Sequence, residues 1–263
     1  MLRTRVWTAL AALPALLAVV LFAPALWFAA FVGMLTAWGI YEVGAMTRAR
    51  TAGAAGALVV AGGGSAMLMD WAPERLWFVP LAVIIAMLML VARVGRGTAS
   101  AAVQSPAIGL TILGALYVGA LFPFFALLRN RPGGVEVMVL ILLLVMASDT
   151  GAYFTGSWLG RTKLAPKVSP KKTVEGAIGG LALCVVGGLL LRAPLVPGWS
   201  VAQSVLLSAA IAVLAQLGDL AGSALKRSAG VKDSGWIVPG HGGLLDRTCS
   251  MVFATVFAYY WSR

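Results

Sequence analysis

Apolar runs of about 17–25 residues recur along nearly the whole chain, and no other feature limits its possible folds so severely. A segment of that length and character crosses a bilayer as a helix. Without water, every backbone N–H and C=O must find a partner inside the segment. The runs lie at residues 6–23, 25–46, 52–69, 76–92, 106–128, 137–158, 174–191, 201–222 and 245–262. They predict an all-α, polytopic integral membrane protein of about nine transmembrane helices. Charge content agrees: 11% of the 263 residues are charged, against about 25% in soluble domains.

The first run follows Arg3 and Arg5 in the manner of a signal peptide. Apolar sequence resumes directly after Pro24 with no polar cleavage region, so an uncleaved anchor is expected. Basic residues set the orientation. With a cytoplasmic N-terminus, fifteen of the twenty Lys and Arg fall in inside loops; Arg75, Arg129, Arg131, Arg192 and Arg263 fall outside. Because these cations flank membrane spans, the net charge of +11 is read as attraction to anionic lipid, with no nucleic acid partner expected. Cys184 and Cys249 fall within spans and form neither a disulfide framework nor a metal cluster.

Two halves differ in character. Residues 1–134 form a scaffold half whose one acid within a span is Glu42, expected to pair with Arg48 near the cytoplasmic end. Residues 135–263 form a catalytic half within one continuous membrane domain, with Asp149, Glu175, Asp219, Asp233 and Asp246 at span ends or inside spans. Gly62–Gly64, and Gly176 with Gly179 and Gly180, are expected to permit close helix packing.

Polar chemistry concentrates between Gln216 and Arg247. This stretch holds three of the nine acids, the only histidine (His241), and Lys226, Arg227, Lys232 and Arg247. Gln216, Asp219, Ser223 and Lys226/Arg227 follow one helical stripe, which puts a carboxylate inside the bilayer boundary with cations beyond it. A self-neutralising pair of Asp219 with Lys226 or Arg227 is the plainer reading. A charge buried there needs compensation, from a cation or a metal. The next loop carries Gly235, Gly240, Gly242 and Gly243, which allow close backbone approach to an anion. It is not a P-loop, since no Gly-Lys dipeptide occurs, and no HExxH or GxSxG signature is present. His241 could serve as acid, base or phosphate donor. Asp219 and Asp246 come from different helices, as a divalent metal site on phosphates requires. Upstream, Asp149 and Tyr153 share a helix face. The loop from Gly160 to Gly176 combines five cations with Ser169, Glu175 and Thr173, a candidate N-cap.

The run Ser223-x-Leu-Lys226-Arg227-x4-Lys232-Asp233-x-Gly235-x3-Pro239-x-His241-Gly242-Gly243-Leu-x-Asp246-Arg247 resembles the signature of the phosphatidate cytidylyltransferases, or CDP-diacylglycerol synthases. Similar to that family as well are Asp149…Tyr153…Gly156, the run from Leu164 to Gly176, and Gln216-x-Gly-Asp219. The resemblance covers roughly residues 145–250. It implies Mg2+-dependent transfer of CMP from CTP to phosphatidic acid with release of pyrophosphate, in a homodimer of the inner (plasma) membrane whose active site faces the cytoplasm. It implies that Asp219 and Asp246 hold the metal, with room for a second ion. It also implies that Lys226, Arg227, Lys232 and Arg247 bind triphosphate or lipid phosphate. Catalytic candidates are then Asp219, Asp246, Lys226, Arg227 and His241. Substrate-binding candidates are Asp149, Tyr153, Lys167, Ser169, Lys171, Lys172, Thr173, Glu175, Ser223, Lys232, Asp233, Gly242, Gly243 and Arg247. The family signature continues with an acid three residues after Asp246, and here Cys249 stands in its place. A thiol is a poor ligand for a hard cation. Three alternatives remain: transfer to another lipid phosphate, a divergent or inactive homologue, and an ion-coupled transporter. The transporter is disfavoured by the lack of an inverted repeat.

Overall fold

A computed structural model describes residues 14–47, 78–96, 107–236 and 242–262. The expected span at 52–69 and residues 237–241, with His241, lie outside them. The apolar runs that are described are helices. Residues 14–22 are helical and break at Pro24, whose ring has no N–H to continue the ladder. α1 (Ala25–Met46) starts directly after it. α2 spans Phe78–Arg96. The next run divides into α3 (Ala107–Leu121) and α4 (Pro123–Arg129), with Pro123 at the first position of the new helix. α5 (Gly134–Trp158), α6 (Val174–Leu195), α7 (Val201–Ser228) and α8 (Leu245–Trp261) follow. Among the described residues, five helical stretches are long and apolar enough to cross a membrane. At 1.5 Å per residue, a 22-residue helix such as α1 reaches about 33 Å, enough for a hydrocarbon core of about 30 Å. Phe22, Leu26, Leu190 and Leu206 project outward, as lipid-facing side chains do.

Small residues set the packing of the second half. A Cβ at Gly151 of α5 would lie 2.7 Å from the Gly179 carbonyl oxygen of α6, and one at Gly180 would lie 2.7 Å from the Ser148 carbonyl oxygen. α5 and α6 therefore touch backbone to backbone, the role expected for Gly176, Gly179 and Gly180. α7 meets α8 in the same way, with Gly218 and Gly222 against Cys249. α8 also packs on α3, α4 and α5, while α2 packs on α7, so the two halves interlock. Arg129, buried at the end of α4, closes the N-terminal helices. Its Nε donates to the Val20 carbonyl at 3.0 Å, and its guanidinium sits 5.1 Å from the centre of the Phe28 ring.

One element departs from the all-α expectation. β1 (Lys163–Ala165) and β2 (Ser169–Thr173) form a short antiparallel hairpin in the α5–α6 loop, pairing Lys163 with Thr173 and Ala165 with Ser169. Its tip is held down by Val168, fully buried against Leu220 and Ala224 of α7. That anchor fixes where the loop's cations stand.

Candidate active site

α7 is the spine of the site. It runs to Ser228, nearly two turns past the expected end at 222, so Gln216, Asp219, Ser223, Lys226 and Arg227 share one rigid helix. Its start is secured by a reciprocal Ser200–Gln203 capping box. Two polar clusters hang on this helix, one near its middle and one at its C-terminal end.

The first is a cleft of about 400 Å³ whose walls include Asp149, Tyr153, Lys171, Lys172, Gln216 and Asp219. The Lys172 ammonium meets the Asp219 carboxylate at 2.7 Å, with their side chains 24% and 43% exposed. Gln216 donates from Nε2 to the Ala177 carbonyl at 3.1 Å, which orients it beside the cleft. Asp149 faces Asp219 and Lys172 across the cleft, and Arg247 is exposed on the first turn of α8. Thr173 caps α6 as expected: its Oγ1 accepts from the Gly176 amide at 3.1 Å. Glu175 accepts from the amides of Arg161 and Thr162 at 3.0–3.2 Å, which ties the loop entry to the first turn of α6. Lys171 reaches the cleft wall, whereas Lys167 is exposed near the hairpin tip and Ser169 pairs across it. Exposed Tyr153 lines the cleft and meets Phe154 edge-on, and Phe154 in turn packs at a tilt on Trp158, along the end of α5.

The second cluster is closed. The Lys226 ammonium pairs with the Asp246 carboxylate, their side chains only 13% and 7% exposed. The self-neutralising pair of Asp219 with Lys226 or Arg227 is thus not formed, since the hairpin delivers Lys172 to Asp219 and α8 delivers Asp246 to Lys226. Asp246 Oδ2 also accepts from the amides of Ser234 and Gly243, each at 2.9 Å, and from Ser234 Oγ at 3.1 Å. Gly242 carries φ +84° with Asp246 Oδ2 2.6 Å from where a Cβ would stand, so only glycine fits there. Arg227 turns to the carbonyls of Val168 and Val231 at 3.4 and 3.2 Å, fastening the hairpin to the loop after α7. Ser223 is half-buried, and Lys232 and Asp233 are exposed.

Two further residues belong to this cluster, Glu42, read from sequence as a structural acid paired with Arg48, and Ser234, which the sequence did not single out. Glu42 of α1 is 2% exposed, and its oxygens accept from Ser234 Oγ at 2.8 Å and from the amides of Leu244 and Leu245 at 2.7 and 3.1 Å. Its expected partner Arg48 lies outside the described residues. Ser234, 4% exposed, stands between Glu42 and Asp246. The available signal was Glu42 itself, a lone acid in an apolar span.

Oxygen donors suit a hard divalent cation such as Mg2+, which characteristically takes one or two carboxylates and completes its shell with water and substrate phosphates. Asp219, 43% exposed in the cleft, has oxygen to offer such an ion, whereas Asp246, 7% exposed, has Oδ1 on Lys226 and Oδ2 on Ser234 and Gly243 and would have to give up one of these partners to reach it. Gly218 and Gly222, either side of Asp219 on α7, let α8 approach closely at Cys249, three residues after Asp246. Cys249 itself is 3% exposed and wedged against Gly222, in the manner of a packing residue. Among the described residues no three His, Cys, Asp or Glu side chains converge as a ready-made metal site.

Comparison with known proteins bears on this arrangement. Three phosphatidate cytidylyltransferases align with the chain. The one from Synechocystis sp. is 46% identical over 137 residues, 51% of this chain and 45% of its own length. That from Bacillus subtilis is 40% identical over 154 residues, 58% of this chain and 57% of its own length. That from Brucella suis is 43% identical over 154 residues, 57% of this chain and 56% of its own length. The chain thus spans about half the length of these curated relatives. A model of the cytidylyltransferase family, by contrast, matches residues 3–263, so the scaffold helices, the Asp219 cleft and the Asp246 cluster all fall within one match, and the chain belongs to the cytidylyltransferase family.

Proposed function

We propose that the protein is a CTP:phosphatidate cytidylyltransferase, which makes CDP-diacylglycerol and pyrophosphate for phospholipid synthesis. The observation that carries this reading is the cleft in which Lys171 and Lys172 face Asp149 and Asp219 beside an aromatic rim. Phosphoryl-type transfer needs positioning and charge neutralisation more than a protein nucleophile. A phosphate oxygen of phosphatidic acid attacks the α-phosphorus of CTP. A new P–O bond forms, the bond from the α-phosphorus to the α,β-bridging oxygen breaks, and pyrophosphate leaves with that electron pair. Lys171, Lys172 and Arg247 neutralise the phosphates, and the Lys172–Asp219 pair opens as phosphate takes the ammonium. Lys232, Arg227 and His241 are assigned to the same phosphates from the sequence motif. Asp219 would hold Mg2+, joined by Asp246 once Lys226 releases it, and the ion when bound polarises the phosphoryl oxygens. Tyr153, Phe154 and Trp158 suit the membrane interface, where aromatic rings concentrate. The acyl chains would enter beside them.

The wider setting belongs to the same proposal. Nine spans with the N-terminus inside put both basic loops of the second half, and the cleft, on the cytoplasmic face of the inner membrane, where CTP is available. A homodimer is the expected assembly. The test is turnover by purified protein in detergent micelles given phosphatidic acid, labelled CTP and Mg2+. Liponucleotide and pyrophosphate should appear in equal amounts and vanish in Asp219→Ala. Product with a polyprenyl phosphate but none with phosphatidic acid would replace the substrate. No CTP-dependent product with either would refute the reading.

A further inference from the structure

We infer that Glu42 is a positioning residue for the reaction, holding Asp246 through Ser234 and through the first turn of α8. The inference rests on the cytidylyltransferase reading for its kinetic consequence, not for its structural one. The geometry starts from a cost. A carboxylate buried in an apolar span is expensive unless its lone pairs are taken up. Glu42 has all of its observed partners as donors: Trp38 Nε1 at 3.1 Å, Ser234 Oγ at 2.8 Å, and the Leu244 and Leu245 amides at 2.7 and 3.1 Å.

Those partners are not a random sample of nearby polar groups. The first amides of any helix lack intrahelical acceptors, and α8 has no side-chain cap from its own N-cap residue, Leu244. Glu42 supplies two of the missing acceptors from about 200 positions earlier in the chain. Asp246, on that same first turn, takes the next amide back, that of Gly243. Ser234 links the two acids. Its amide is committed to Asp246 at 2.9 Å, while its single hydroxyl proton lies within reach of Glu42 at 2.8 Å and Asp246 at 3.1 Å.

The space around Glu42 is shaped to its carboxylate. A Cβ at Gly243 would lie 2.6 Å from both of its oxygens, and one at Gly235 would lie 2.8 Å from Oε1. These two loop glycines therefore make room for a protein carboxylate. Here the scaffold half thus lends a carboxylate to the catalytic half, and that carboxylate braces Asp246. Partners that orient a ligating carboxylate typically change activity or metal affinity by roughly 10–100-fold when removed.

Glu42→Gln keeps the shape and one acceptor oxygen, and Ser234→Ala removes the link. The expected result for both is a kcat lowered roughly 10–100-fold, with KM for CTP changed less than about twofold and a higher Mg2+ requirement. Peptide-resolved alkylation of the two native cysteines reads position without activity. Cys249 on α8 should label faster in both variants while Cys184 on α6 keeps its wild-type rate. Wild-type kcat together with wild-type labelling of Cys249 would overturn the inference. So would equal acceleration at both cysteines, which marks general loosening of the fold. If the wild type itself transfers no CMP, the proposed function fails, and the selective labelling of Cys249 alone then decides the positioning role.

Discussion

The two clusters on α7 use the same chemistry, a lysine against an aspartate, in opposite surroundings. Lys172–Asp219 stands in an open cleft, with Asp219 43% exposed; Lys226–Asp246 is enclosed, with Asp246 7% exposed. Coulomb attraction in water is weak, and an exposed pair is worth about 0–1 kcal/mol. A buried pair is costly to break from one side, by about 3–5 kcal/mol, because the remaining charge is stranded. The open pair can exchange partners when a phosphate arrives, whereas the enclosed pair gives up a partner only at greater cost. One helix thereby carries a readily replaced pair and a firmly held one, about two turns apart.

The largest expected effect follows directly. Lys226→Met should destabilise the protein by about 3–5 kcal/mol in detergent unfolding, and adding Asp246→Asn, which removes the stranded charge but keeps the acceptor for the Ser234 and Gly243 amides, should recover most of that loss. If the double variant is no better than the single, stranded charge is not the cause. Next comes the seam between the clusters. Gly222→Ala drives a methyl into the Cys249 side chain and should cost about 1–3 kcal/mol, the usual range for overpacking. Cys249→Ala should relieve part of it. Lys172→Ala should move stability by less than about 1 kcal/mol yet reduce kcat/KM on the order of 100-fold, as loss of one preorganised electrostatic contact does. A large fall in Tm for this variant would erase the distinction between the clusters. The smallest effect belongs to Tyr117, whose buried hydroxyl has the Cys249 thiol, a weak partner, beside it. Tyr117→Phe should be close to neutral in the same unfolding assay, since it gives up at most one weak hydrogen bond to sulfur.

Local hydropathy and local stereochemistry were legible in the sequence. The bounds of α1 coincide with the apolar run 25–46, because Pro24 sets the start, and Thr173 caps α6 as its position before an apolar run suggests. The end of α7 was legible in part. The apolar span stopped at 222 while the polar stripe was read as helical as far as Arg227, and the helix does continue to Ser228. The hairpin was hidden. A segment holding Pro166, Pro170 and three lysines beyond Lys163 has little strand character, and its order comes from burying Val168 on α7. Within the site, the acids and cations could be named but not paired. Asp219 takes Lys172 from 47 positions upstream, and Asp246 shares Ser234 with a residue of the first half. No periodicity encodes such distances, so Glu42 was visible only as an oddity.

The most direct test of the central claim is thermal stabilisation by Mg2+ and CTP together. A ligand at about 100 times its Kd adds roughly 2.7 kcal/mol to the folded state. Wild-type protein should show the corresponding rise in Tm with CTP and Mg2+, and Asp219→Ala, whose unliganded Tm should match the wild type, should show little or none. An equal rise in both proteins would put the nucleotide somewhere other than the Asp219 cleft and contradict the account.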